Sequence, residues 1–313
     1  MKTLRLWYDS DATRHLMRIL CARVASRFTC HETPRDPDFF FFSGLRRREL
    51  LQPGLRVFVT GENMIPDFNT ADFALAFAPI EFPGRYLRWP LFRLYGEAYA
   101  LARDRPALDA PPDRAGFCAC VVSNTKNRQD PLAETADALA SHLPLSYGGR
   151  WRNSTNGPVE DKMEFLRGHR FAIAFENTAA PGYTTEKILE AFAARVIPIY
   201  WGNPEIAADF NPAAFVNAAD FESPAALARH VAALDRDPAQ RLAMLNAPVF
   251  PGGVEPLRLR DDVLADFLTR MFETPPGQLQ RSTGRWPQKY EASLRTAFFH
   301  PFRHAARRWA GKA

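Results

Sequence analysis

A chain of 313 residues that is 46% hydrophobic buries a sizeable core and is long for one domain, so a two-domain globular protein is expected. Its 40 Lys+Arg against 35 Asp+Glu leave a formal charge of +5 and a pI near 9.1, not concentrated in runs; this argues against a nucleic-acid binder and leaves an anionic substrate or a membrane surface open. Nowhere do about 18 apolar residues follow one another, so no membrane span is expected, and the opening MKTLRLWYDSD lacks the apolar core of a secretory leader, which points to the cytoplasm.

In chain order, LRLWY reads as a strand, and TRHLMRILCARVASRF has helical spacing at Leu16, Ile19, Leu20 and Val24. DFFFF, LRVFVT and DFALAF read as further buried strands, so this part alternates as βαβ units of a parallel sheet. The proline- and charge-rich RDRPALDAPPDRAG reads as a linker, giving an expected N-terminal domain over 1–110 and a second over 111–275. Beyond it the rhythm restarts with FCACVVSN as a strand, PLAETADALASHL as a helix, FAIAF as a strand, a helix near 185–194, and VIPIYW as a strand. SPAALARHVAAL and DPAQRLAML each open with a capping residue followed by proline, a helix start signal. Cys21, Cys30, Cys118 and Cys120 have neither zinc spacing nor scaffold density and are expected as reduced, mostly buried thiols.

The stretch FENTAAPGYTTEKI sits between a strand and a helix, where an open α/β sheet offers a ligand its best site. The helix that follows points free amides back at the loop, which favours phosphate. Lys187 in its first turn is electrostatically misplaced unless an anion binds there. Glu186 either caps the helix or accepts paired sugar hydroxyls. Glu176 either makes buried hydrogen bonds to backbone amides or touches substrate, and ranks below Glu186. In VTGENM, Glu62 follows a glycine at the end of an apolar strand, where it is either a solvated turn residue or a group facing a cleft.

The run FAIAFENTAAPGYTTEKILEAFAARVIPIYWGNPEIAADFNPAAFVNAADF resembles the donor-binding block of the bacterial α-1,3-fucosyltransferases, the Lewis-antigen-type enzymes of glycosyltransferase family 10. VFVTGENMIPDFNTADFALAFAPIEFPGRYLRWPLF resembles their acceptor-side segment, and VVSNTKNR and GGRWRNS match shorter pieces between them. The resemblance implies an α/β GT-B fold, two Rossmann-like domains facing across a cleft, with the N-terminal one on the acceptor side. It implies inverting transfer of L-fucose from GDP-fucose to a hydroxyl of an N-acetylglucosamine-containing glycan. Asn177, Tyr183, Glu186 and Lys187 would hold the donor, Glu186 at the ribose and Lys187 at the diphosphate, and Arg128 would reach the phosphates. Glu62 would be the general base, and Ser123, Asn124, Asn63 and Glu176 are secondary candidates.

No cofactor or metal is expected. Asp-x-Asp occurs three times, at Asp9/Asp11, Asp36/Asp38 and Asp235/Asp237, which signals chance, and Asp237 reads as a helix cap. A GT-B enzyme using another nucleotide sugar is the nearest rival, and a nucleic-acid binder is disfavoured because its aromatic platforms are not clustered. The tail over 276–313 is basic and aromatic and is expected as two short helices around Pro301. Either its aromatic side packs on the enzyme or, as in some bacterial relatives, the tail holds the protein peripherally at the inner membrane.

Overall fold

The computed structural model describes residues 1–44, 52, 54–124, 129–275, 279 and 284–299. The chain divides into two compact units, one made of Met1–Trp89 with Arg258–Ala313, the other of Pro90–Leu257.

The first unit is built on six strands, β1 (Lys2–Tyr8), β2 (Phe28–Glu32), β3 (Phe39–Phe42), β4 (Leu55–Val59), β5 (Phe73–Ala76) and β6 (Tyr86–Arg88). They pair in the order β2-β1-β3-β4-β5-β6, every pair parallel. Every residue of β3, β4 and β5 is buried, as strands of a parallel sheet covered on both faces must be. Helix α1 (Asp11–Cys21) starts where the Ser10 hydroxyl accepts the Thr13 amide at 3.2 Å. The sheet is closed by a helix from the far end of the chain, α8 (Asp261–Glu273), which buries Leu264, Phe267, Leu268, Met271 and Phe272. Phe272 meets Phe28 and Phe39 edge-on with ring centroids 5.3 and 5.1 Å apart; each such buried side chain contributes roughly 1.5–3 kcal/mol. The last described helix, Arg285–Phe299, supplies Glu291, which receives bidentate hydrogen bonds of 2.9 and 3.1 Å from the Arg56 guanidinium of β4.

The second unit carries β7 (Gly116–Cys120), β8 (Leu145–Tyr147), β9 (His169–Phe175), β10 (Ile197–Trp201) and β11 (Val216–Asn217), all parallel in the order β11-β10-β9-β7-β8. Its helices are α2 (Gly96–Arg103), α3 (Leu132–Ala140), α4 (Lys162–Arg167), α5 (Glu186–Ala193), α6 (Pro224–Asp235) and α7 (Pro238–Asn246). Ser223 and Asp237 cap α6 and α7 with proline at the first turn, as their sequences predict. From β7 the chain goes to β8 on one side and β9 on the other, so the topological switch point lies between the carboxyl ends of β7 and β9.

Two expectations differ from this arrangement. The expected boundaries at 110 and 275 do not coincide with the units, because α2 packs on α5 and draws the segment from Pro90 into the second unit, while α8 returns to the first. The thiols are only half buried as a set: Cys118 and Cys120 are interior, but Cys21 is intermediate and Cys30 exposed. Of the expected tail helices the first ends at Phe299, ahead of Pro301, and the second lies outside the described residues.

Candidate functional site

The switch point gathers four of the residues named from sequence. Beyond β7 come Ser123 and Asn124, both exposed, with the Ser123 hydroxyl accepting the Arg150 amide at 3.2 Å. Beyond β9 come Glu176 and Asn177, and the Asn177 carbonyl accepts the Gln129 amide at 2.9 Å, tying the two strand ends together. Arg128, immediately before Gln129, lies outside the described residues.

Glu176 is 0% exposed, and its carboxylate accepts three hydrogen bonds: the Thr185 amide at 2.7 Å, the Thr185 hydroxyl at 2.7 Å and the Lys187 ammonium at 2.8 Å. The buried backbone hydrogen bond weighed from sequence is therefore present, and Glu176 takes the first free amide of α5 from outside the helix. Lys187 also donates to Thr185 Oγ1 at 2.8 Å, and its side chain is 22% exposed. Its place in a helix first turn is thus accounted for by a buried anion beneath it, without a ligand. A side chain at position 202 would break this arrangement: Gly202 has φ +150°, and a Cβ there would lie 2.6 Å from Glu176 Cγ.

The loop between β9 and α5 is pinned by a residue the sequence reading passed over. Asn203 is buried, accepts the Gly182 amide at 2.8 Å and donates to Thr184 Oγ1 at 3.1 Å. Gly182 itself has φ +77°, a left-handed turn that suits glycine. Tyr183 is 6% exposed, so the ring is a wall of the loop.

Glu186, the first residue of α5, is half buried and lies close enough to Tyr95 to act on its phenol. Burial, followed by the charges of Glu186 and Glu190, pushes the Tyr95 phenol up to about 12, so it stays a donor at neutral pH. Tyr95 also walls a cavity of about 510 Å³ with Glu97, Asp161, Met163, Arg167 and Glu190. None of the residues named from sequence lines it. Glu190 is held against Lys162, and burial raises its carboxyl above the usual range despite that ion pair. The sequence signal for Tyr95 was absent, since it lies ninety-one positions before Glu186 and meets it only through α2 packing on α5.

In the first unit, Glu62 lies at the carboxyl end of β4 and is exposed, as is Asn63. The Glu62 amide donates to Thr60 Oγ1 at 3.0 Å, and its carbonyl accepts the Met64 amide at 2.8 Å, so the turn is fixed through its backbone. Asp9, from the first Asp-x-Asp, is buried and accepts Ser10 Oγ at 2.9 Å, Thr13 Oγ1 at 2.5 Å, and the Ser43 amide and hydroxyl at 2.9 and 3.3 Å. It anchors α1 to the ends of β1 and β3.

Comparison with known proteins bears on both units. Residues 7–95 match the family described as the alpha-(1,3)-fucosyltransferase FucT N-terminal domain, and residues 111–245 match glycosyltransferase family 10 (fucosyltransferase), C-terminal. The chain is 36% identical over 256 residues to the alpha-(1,3)-fucosyltransferase FucT of Helicobacter pylori, covering 69% of this chain and 53% of that one. It is 38% identical over 173 residues to alpha-(1,3)-fucosyltransferase B of Drosophila melanogaster, covering 47% and 37%. The chain thus spans about half the length of the first of these and about a third of the second. A solved alpha1,3-fucosyltransferase superposes with a TM-score of 0.76 at 30% identity, covering 87% of this chain and 91% of that one. One solved with GDP-fucose gives 0.73 at 29% identity, covering 88% and 92%. An Anabaena protein solved with UDP and glucose matches at 0.51 and 10% identity, covering 87% and 99%, a likeness of fold alone.

Proposed function

The chain belongs to the glycosyltransferase family 10 α-1,3-fucosyltransferases, and from that membership we propose that it transfers L-fucose from GDP-fucose to O3 of an N-acetylglucosamine in an N-acetyllactosamine-type or lipopolysaccharide glycan. The observation that carries the reading is the loop after β9: it sits at the switch point of a parallel sheet and opens a helix with its amides toward the loop, in a chain whose fold as a whole matches the family member solved with GDP-fucose.

In the proposed reaction Glu62 takes the proton from the acceptor hydroxyl as its oxygen attacks the anomeric carbon in line. The bond to the β-phosphate oxygen breaks, GDP leaves with the bonding pair, and the β-linked donor becomes an α-fucoside. Support for Glu62 as base is its exposure on a turn fixed through the backbone, which presents a carboxylate without committing it to the fold. Glu186 holds the ribose hydroxyls, with Tyr95 orienting its carboxylate. Lys187, Arg128, Asn177 and the α5 amides offset the charge gathering on the leaving diphosphate. Tyr183 shapes the donor wall. No metal or cofactor is required for these steps, so chelator should leave turnover unchanged or mildly lowered.

The protein works in the cytoplasm, and the basic segment beyond Phe299 attaches it peripherally to anionic lipid. Among the described residues no helix is long and apolar enough to cross a membrane. On the helix Arg285–Phe299, Trp286 and Tyr290 are 73% and 43% exposed, the former beneath Lys289 at 4.9 Å, an aromatic–cation pairing suited to a headgroup layer. Because Glu291 is the partner of buried Arg56, the informative truncation is after Phe299 rather than ahead of the helix. That variant should retain activity and show weakened salt-sensitive sedimentation with anionic vesicles, the remainder resting on Trp286, Tyr290 and Lys289.

The deciding experiment offers GDP-fucose and other nucleotide sugars to a panel of type 1, type 2 and Lewis-precursor acceptors, with linkage analysis of the product. An α-1,3-fucosylated type 2 glycan is expected. Preferential use of another nucleotide sugar overturns the donor, and an α-1,4 product on type 1 chains overturns the regiochemistry.

A further inference from the structure

The first unit carries a pair of thiols that fucosyl transfer does not use. Side chains alternate along a strand, so Phe28, Cys30 and Glu32 share one face of β2, and Leu6 and Tyr8 continue that face on β1. Over it α1 lays Cys21, one turn beyond Met17 and Arg18. These residues line one cavity of about 280 Å³. As β2 is the outermost strand of its sheet, Cys30 is exposed, while Cys21 beneath the end of α1 is half covered. Cys30 on the strand and Cys21 on the helix thus open onto the same space.

We propose that Cys30 and Cys21 form a thiol–disulfide exchange site for small-molecule disulfides, with Cys30 the attacking sulfur and Cys21 the resolving one. Cys30 sulfur attacks the reagent, its S–S bond breaks, and one half departs as a thiol, leaving the other half in a mixed disulfide on Cys30. Cys21 sulfur then attacks Cys30 sulfur, expels the second half as a thiol, and leaves a Cys21–Cys30 disulfide. The cysteines together give up two electrons and two protons, which reduce the reagent disulfide to two thiols.

The roles follow from the surroundings. Interaction with the neighbouring Cys21 thiol lowers the Cys30 thiol to about 7 against a smaller opposing effect of burial, while Cys21 is pushed up by the same interaction and by burial. Of the other groups facing the pair, the Tyr8 phenol is raised by burial and stays neutral, and Glu32 is charge-paired with Arg14 at 3.2 Å and Arg18 at 3.0 Å. Cys30 therefore carries the nucleophilic form near neutral pH and is also the accessible sulfur. Cys118 and Cys120 are internal controls: both are 0% exposed in β7, and burial raises Cys118 well above the usual thiol value.

The full chain is incubated with oxidised glutathione, alkylated and digested without reduction. The expected product is a Cys21–Cys30 cross-linked peptide, with Cys118 and Cys120 alkylated only after unfolding. Cys21→Ser should trap a stable glutathione adduct on Cys30, and Cys30→Ser should give neither adduct nor cross-link at the same exposure. Alkylation of Cys30 by iodoacetamide should accelerate as pH rises through about 7. A wild-type protein that accumulates the Cys30 adduct without the cross-link overturns Cys21 as resolver. Equal alkylation rates at Cys30 and Cys118 in the folded chain overturn the site.

Discussion

The turn after β4 and the loop after β9 both present a glutamate just past the carboxyl end of a buried parallel strand, yet the two are held in opposite ways. Among the described residues Glu62 is held through its backbone, by Thr60 and Met64, and the residue is exposed. Glu176 is wholly interior, and its carboxylate is consumed by Thr185 and Lys187. A carboxylate that receives a proton from substrate has to be reachable, whereas one that positions a helix and a lysine has to be satisfied and dry. Position relative to the sheet is shared; the amide and hydroxyl of Thr185 commit the Glu176 carboxylate to the fold.

The comparison breaks first at Glu62. Glu62→Gln keeps the shape and loses the basicity, so kcat should fall by roughly 10²- to 10⁴-fold, with GDP affinity by calorimetry and the melting temperature unchanged. Near wild-type kcat would remove it as base. Glu176→Ala is expected to act on the other side of the ledger, destabilising the chain by about 3–5 kcal/mol because a buried charge pair loses one partner; denaturant unfolding measures this, and a loss under about 1 kcal/mol would make the burial inconsequential. Lys187→Ala sharpens the contrast, because the lysine touches both roles. Weaker GDP binding, by roughly 1.5–3 kcal/mol for a charge-assisted contact, together with a lowered melting temperature marks it as donor ligand and counter-ion at once; a lowered melting temperature with unaltered GDP affinity leaves it structural. The smallest effect is assigned to Tyr95→Phe, which removes the hydroxyl beside Glu186 at a half-exposed position and should raise the KM for GDP-fucose by a few fold at constant kcat, roughly 0.5–1 kcal/mol. In a Glu186→Ala background the same substitution should add nothing.

Much of the sheet framework was legible because buried parallel strands are near-continuous apolar runs: FFFF, FALA and FAIAF announce β3, β5 and β9. Strand β2, FTCHE, was not, since it lies at the sheet edge and shows four of its five residues to solvent. The three-residue β6 was too short to carry a period. The loop after β9 could be located but not apportioned. Whether Glu176 or Glu186 was the structural carboxylate depended on which one the Thr185 amide faces, a matter of backbone geometry that residue identity does not encode. Asn203 and Tyr95 acquire their roles only from distant partners, Gly182 and Thr184 for one and Glu186 for the other.

The ion pair between Arg56 and Glu291 carries a consequence for how the chain is made. Arg56 lies within β4, the strand that leads to Glu62, and is 2% exposed, so β4 seats a guanidinium one of whose partners, Glu291, is encoded 235 positions later. Removing one partner from a buried ion pair is destabilising. The unit from Pro90 to Leu257 is continuous in sequence and can close while the chain is still emerging from the ribosome. The unit begun by Met1 has to wait, through the whole translation of its neighbour, for α8 and the helix bearing Glu291. Of the two units the one begun earlier is therefore completed later, and a nascent chain arrested before Arg258 should show protease-resistant residues 90–257 beside a still-digestible segment ahead of Pro90.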